Sequence, residues 1–196
     1  MVEVLEEYFA YVHATDVASY GRDYETGSFV GEGLDVAAFP HGRPNWIITN
    51  PPFVLAERFV RRALVTALQG VAILARTAFI ESETRYAIFS LPAFRLFAPF
   101  AGRLAMVKGR WDPAASSATS YAWFVWLTAT TGRVKPAELV IIPPEAKRVC
   151  TRADDIRRFA ERRQNRPSES VAKGQNHMPQ NQSLSWCGRE DAAFQP

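Results

Sequence analysis

One stretch constrains this chain more than any other: Asn45-Trp46-Ile47-Ile48-Thr49-Asn50-Pro51-Pro52-Phe53. Trp46, Ile47 and Ile48 form a short apolar run, the pattern of a strand buried in a parallel sheet. Asn50-Pro51-Pro52-Phe53 stops that run abruptly. Two prolines offer no amide hydrogens to a ladder and fix φ, so the turn is stiff. A helical pattern follows. Open α/β folds place their sites at such a turn, at the carboxyl end of a buried strand.

The turn also has a chemical reading. The Asn50 side-chain oxygen and the Pro51 carbonyl are both acceptors. Held rigidly, they can take two hydrogen bonds from one exocyclic amino group and so aim the nitrogen lone pair at an electrophile. Phe53 can stack on the ring that carries that amine. The plainer alternative is a strand-end turn, because Asn-Pro is a common turn dipeptide.

At 196 residues and 47% apolar, the chain has length for one ordinary domain with a core. No apolar run approaches a membrane span, and the first ten residues carry three glutamates and no basic region of a secretory signal. The two cysteines, Cys150 and Cys187, suggest neither a disulfide framework nor a metal site, and a reducing cytoplasm is the expected setting. Charge is uneven. Residues 1–146 hold 13 Lys+Arg against 14 Asp+Glu, a net of −1, and residues 147–196 hold 10 against 6, a net of +4. The basic balance therefore belongs to the tail, where it can add a sequence-independent phosphate contribution or simply be solvated.

Taken in order, residues 2–9 read as the end of a helix and residues 11–15 as a strand closed by Asp16. An acidic residue at a strand tip accepts hydrogen bonds from ribose hydroxyls in nucleotide-binding α/β folds, although turns favour Asp anyway. His13 reads as a half-buried strand residue rather than a catalyst. Residues 19–33 read as a glycine-rich loop without phosphate-loop spacing. Residues 34–36 are a short strand-like piece in which Asp35 either accepts from an adenine amino group or caps a turn.

After the Pro-Pro turn a helix is expected over residues 54–68, with Leu55, Phe59, Ala63 and Leu64 on an apolar face. Arg58, Arg61 and Arg62 form a second face, with Glu57 spaced to pair with Arg61. Residues 71–75 are a second all-apolar strand, which completes a βαβ unit. Residues 76–81 fall at the same edge of the sheet and can line a cleft, and Glu81 and Arg85 are spaced for a helix pair. Residues 89–100 read as an irregular buried connection. Residues 104–108 and 121–127 read as an antiparallel pair joined by a long loop. That loop carries Lys108, Arg110 and Trp111, a basic and aromatic set suited to phosphate and base contacts. Residues 139–142 read as the last strand, 147–163 as a basic, partly helical extension, and 164–196 as a disordered polar tail.

Asn50-Pro51-Pro52-Phe53 resembles the (Asp/Asn/Ser)-Pro-Pro-(Tyr/Phe) motif of amino-methyltransferases that use S-adenosylmethionine (AdoMet). The order strand–Asp16, strand–Asp35, strand–Pro-Pro turn, helix, strand, antiparallel pair is similar to the class I AdoMet-dependent fold, and more narrowly to phage and prophage DNA N6-adenine methyltransferases, over about residues 1–145. The resemblance implies an α/β, Rossmann-like, mostly parallel sheet with a C-terminal antiparallel hairpin. It implies AdoMet as cofactor, with Asp16 on its ribose and Asp35 on its adenine, and no metal. Asn50, Pro51, Pro52 and Phe53 would then hold the target base of DNA. The glycine-rich turn and the first strand of that family have no counterpart here, so the reading expects that strand to be missing. Three other readings stay open: a catalytically dead remnant that binds nucleic acid, an enzyme acting on RNA, or one acting on protein glutamine.

Overall fold

A computed structural model of the protein describes residues 1–19, 24–31, 39–106, 115, 117–129 and 135–155. The chain divides into two units, 1–163 and 164–196, and the second lies wholly outside the described residues. In chain order the elements are α1 (Val2–Leu5), β1 (Thr15–Asp16), β2 (Glu25–Thr26), β3 (Trp46–Thr49), α2 (Ala56–Thr66), β4 (Gly70–Arg76), α3 (Glu83–Phe89), β5 (Phe94–Pro99), β6 (Tyr121–Leu127), β7 (Glu138–Leu139) and α4 (Ala146–Cys150).

The architecture is α/β around a mixed five-stranded sheet in the order β3-β4-β6-β5-β7. The expected βαβ unit is there: β3 and β4 run parallel, with Trp46 opposite Gly70 and Thr49 opposite Ile73. Arg43 anchors the approach to β3, donating from Nε to the Thr66 carbonyl at 3.1 Å and from its terminal nitrogen to the Val65 carbonyl at 2.7 Å. A cation on those carbonyls suits the negative end of the α2 dipole. The β3 strand lies at one end of the sheet order, and none of the described strands pairs with its outer edge.

The antiparallel element is β6, which runs against both β4 and β5. Its β5 partner is a correction: residues 89–100 contain the strand Phe94–Pro99, whereas residues 103–106 form no strand. Packing explains the choice. Ala122, Phe124 and Trp126 of β6 point to one buried face, and β5 brings aromatic rings to them. The Phe94 ring lies 5.2 Å from Trp126 and the Phe97 ring 5.1 Å from Phe124. Pro99 closes β5 rather than interrupting it, a position where a missing amide costs little.

Alternation sorts the sheet into two faces. Val71, Ile73 and Ala75 join Ala122, Phe124 and Trp126 beneath Ala56, Val60 and Ala63 of α2. Phe79 and Ile88 complete this core. The buried side of α2 runs through Ala56, Val60 and Ala63, with Leu64 partly buried against the same core, while Leu55 is not part of it and Phe59 packs on Phe29 at 5.3 Å. The opposite face carries Ile48, Ala72, Trp123 and Val125 along an apolar groove of about 740 Å³, also lined by Met1, Val4 and Leu5.

The N-terminal strands differ from expectation. Of the strand expected over residues 11–15 only Thr15 is paired as strand, and with the closing Asp16 it pairs in parallel with Glu25–Thr26, inside the segment read as loop. The two make a separate sheet, not joined to the five-stranded one. Residues this short and polar carry no period-2 signal to reveal the pairing.

Gly70 sits opposite Trp46, whose indole covers it: a Cβ there would fall 2.5 Å from the Trp46 ring. Gly70→Ala is therefore expected to destabilise the fold by about 1–3 kcal/mol, the usual cost of overpacking. Denaturant midpoints measure this, and a Trp46→Ala background should remove most of the loss.

Candidate active site

The Pro-Pro turn stands at the carboxyl end of β3, as the sequence pattern requires. Asn50 is exposed, Pro51 is buried and Pro52 is exposed. The side chain of Asn50 has no hydrogen-bond partner among the described residues. Phe53 opens a short 3-10 turn, Phe53–Leu55, that leads into α2. The Leu55 amide donates to the Pro52 carbonyl at 2.9 Å, which closes the turn. Buried Pro51 and this bond fix the backbone, so Asn50 and Phe53 project from a rigid corner. The Phe53 ring is 42% exposed, enough to offer a face to a ligand.

The segment after β4 reaches the same corner. The guanidinium carbon of Arg76 lies 5.3 Å from the Phe53 ring centroid and that of Arg85 lies 5.9 Å from it. Exposed contacts of this kind are worth about 0.5–1 kcal/mol each. Arg85 is also held by other groups: its Nε donates to the Phe79 carbonyl at 2.6 Å, a terminal nitrogen donates to the Glu81 carbonyl at 3.3 Å, and its guanidinium lies 4.9 Å from the Phe79 ring. The Glu81–Arg85 spacing thus produces a contact to backbone, not to the carboxylate. Arg76 is exposed at the end of β4 and has no carboxylate partner among the described residues. The Thr77 amide donates to the Ser120 carbonyl at 3.0 Å, which fastens this segment to the start of β6.

The other candidates fall as follows. Asp16 is exposed, and its Oδ1 accepts from the Ala18 amide at 3.1 Å, a local turn contact. Its second oxygen retains acceptor capacity, but its strand belongs to the small separate sheet. Asp35, Lys108, Arg110 and Trp111 lie outside the described residues. The ends of the loop carrying the last three, Pro99 and Tyr121, stand at the same end of the sheet as Arg76.

The arginine stripe on α2 is partly structural. Arg61 bonds Glu57 at 3.0 Å, as its spacing predicts. Arg58 and Arg62 donate to the carbonyls of Val30 and Gly31 at 3.1 and 3.2 Å, tying that loop to the helix. His13 sits 3.3 Å from the Glu25 carboxylate, and its ring meets Phe39 edge-on at 5.8 Å. Sequence spacing did not reveal that pair, because His13 and Glu25 meet only through the β1–β2 pairing. Arg85 was also missed as a site residue, although Arg76 was visible at the strand end. Among the described residues no helix is long and apolar enough to cross a membrane.

No family model matches the chain, and no curated protein matches it. Among solved structures the chain is similar to a predicted O-methyltransferase from Agrobacterium tumefaciens, at 15% identity and a TM-score of 0.35. The match covers 61% of this chain and 51% of that one, so the chain spans about half of that protein's length.

Proposed function

We propose that this chain takes part in AdoMet-dependent methyl transfer to an exocyclic amino group, with adenine N6 in DNA as the target. The observation that carries the reading is the corner itself. An exposed Asn50 with no described hydrogen-bond partner precedes a buried Pro51 at the end of a parallel strand, and a half-exposed Phe53 ring begins the next turn.

On this reading Asn50 Oδ1 and the Pro51 carbonyl accept the two amino hydrogens. That arrangement holds the nitrogen lone pair in one direction and prevents its delocalisation into the ring. Phe53 stacks on the base once the base has left the helix. The nitrogen gains a methyl group and gives up a proton to water. AdoMet, when bound, would supply the methyl group from its sulfonium, with the C–S bond breaking to leave a neutral thioether. Asp16 fits a ribose contact, being exposed with an acceptor oxygen to spare.

The test is incubation of the full chain with AdoMet labelled in its methyl group and, in separate arms, DNA, RNA or protein. Label recovered as N6-methyladenine from DNA is the expected result. Label on RNA or protein alone would move the substrate assignment, and no label on DNA under any condition would overturn it.

A further inference from the structure

Two guanidinium groups share one half-exposed phenyl ring at the candidate site, and neither has a carboxylate partner among the described residues. Two cations beside one ring make this corner electropositive, which favours an anion there. The two are not equivalent. Arg85 spends its donors on the Phe79 and Glu81 carbonyls, so it contributes field and holds its place beside the ring. The Arg76 guanidinium is exposed over the Phe53 ring and makes no hydrogen bond or ion pair among the described residues, so its donors are available to a ligand.

We propose that Arg76, with Phe53 beside it, forms a phosphodiester-binding subsite for the strand whose base enters the Asn50 corner. Arg85 acts as a positioning residue for the ring. The inference rests on the function proposed above and adds to it the residue that contacts the backbone of the strand. A guanidinium fork matches phosphate geometry, and an adjacent aromatic face accepts any base. Arg76 lies over the Phe53 ring that a base would use. Base entry therefore displaces it, and its donors turn to the phosphate next to that base.

The test is equilibrium binding of a fluorescein-labelled adenine-containing single strand, as DNA and as RNA, without methyl donor, across a salt series. Wild-type protein is compared with Arg76→Ala, Arg76→Lys and the control Arg61→Ala, all checked for unchanged melting temperature. Loss of one phosphate contact should make the slope of log affinity against log salt shallower by about 0.7 for a single strand. That change is expected in Arg76→Ala, with Arg76→Lys restoring it and Arg61→Ala leaving the slope alone. The slopes should agree between DNA and RNA, and the tighter strand identifies the natural source. No binding by wild type, an unchanged slope in Arg76→Ala, or an equal change in Arg61→Ala overturns the proposal. Because no methyl donor is present, an Arg76-dependent slope stands even if methyl transfer is never seen. Methyl transfer with an unchanged slope would leave the proposed reaction standing and remove Arg76 from it.

Discussion

Asn50→Ala is expected to lower the proposed methyl transfer by about 100-fold or more, the scale of losing a group that orients the reacting atom. The same change leaves folding stability within about 0.5 kcal/mol, as for a surface substitution. Both halves follow from one observation: Asn50 is exposed and its side chain bonds to none of the described residues. Nothing in the fold depends on its amide, so an effect on activity cannot be a disguised effect on stability. The Pro51 carbonyl remains as a second acceptor, which is why the loss should be large but not complete. Asn50→Asp keeps an acceptor oxygen at the same position and should retain more activity than the alanine variant. Single-turnover transfer of labelled methyl groups, with melting curves in parallel, measures both effects. Transfer that survives Asn50→Ala unchanged would mean that the Pro-Pro corner is only a turn.

Trp126→Ala is expected to cost about 3–5 kcal/mol, which would unfold much of the population of a marginally stable domain. Trp126 is fully buried near the end of β6, with Phe94 on one side and the Phe89 ring stacked 5.7 Å away at 30°. Its indole nitrogen donates to the Ile88 carbonyl at 2.9 Å, the bond that fastens α3 to the sheet. Alanine there leaves a cavity between α3 and β6 and an unpaired buried carbonyl. Trp126→Phe separates the two contributions: it fills most of the volume and loses only the bond, at about 1–3 kcal/mol. Urea unfolding of the three proteins gives the comparison. A loss below about 1 kcal/mol for the alanine variant would show that the site collapses around the deletion, which close packing opposes.

The stability experiment addresses the buried core and the activity experiment the exposed corner at the carboxyl ends of β3 and β4. The core beneath α2 depends on Val71, Ile73, Phe124 and Trp126, all directed away from solvent. The candidate site depends on Asn50, Phe53 and Arg76, all exposed at the carboxyl ends of β3 and β4. Mutations in the first group should change melting and not specificity, and mutations in the second should do the reverse.

What the sequence determined by itself was local. The run Trp46-Ile47-Ile48, the double proline, the helix after it and the Glu57–Arg61 pair were legible because each depends on neighbours within a few residues. Fixed φ, helical spacing and apolar runs act at that range. The parallel partnership of β3 and β4 was also legible, because a strand, a helix and a strand in close succession have few ways to pack.

Tertiary structure alone decided the rest. Whether β6 pairs with residues 94–99 or with residues 104–108 depends on which segment brings Phe94 and Phe97 against Trp126 and Phe124. That is a question of burial across a sheet, and no spacing along the chain encodes it. Asp16 and Glu25 lie in strands of two residues each, too short to announce their pairing. Arg85 carried a helix-pair signal toward Glu81, yet the packing of α3 turned its guanidinium to backbone carbonyls and the Phe53 ring. Long polar side chains settle where free acceptors and ring faces remain after the apolar core has closed, so their partners emerge only with the fold.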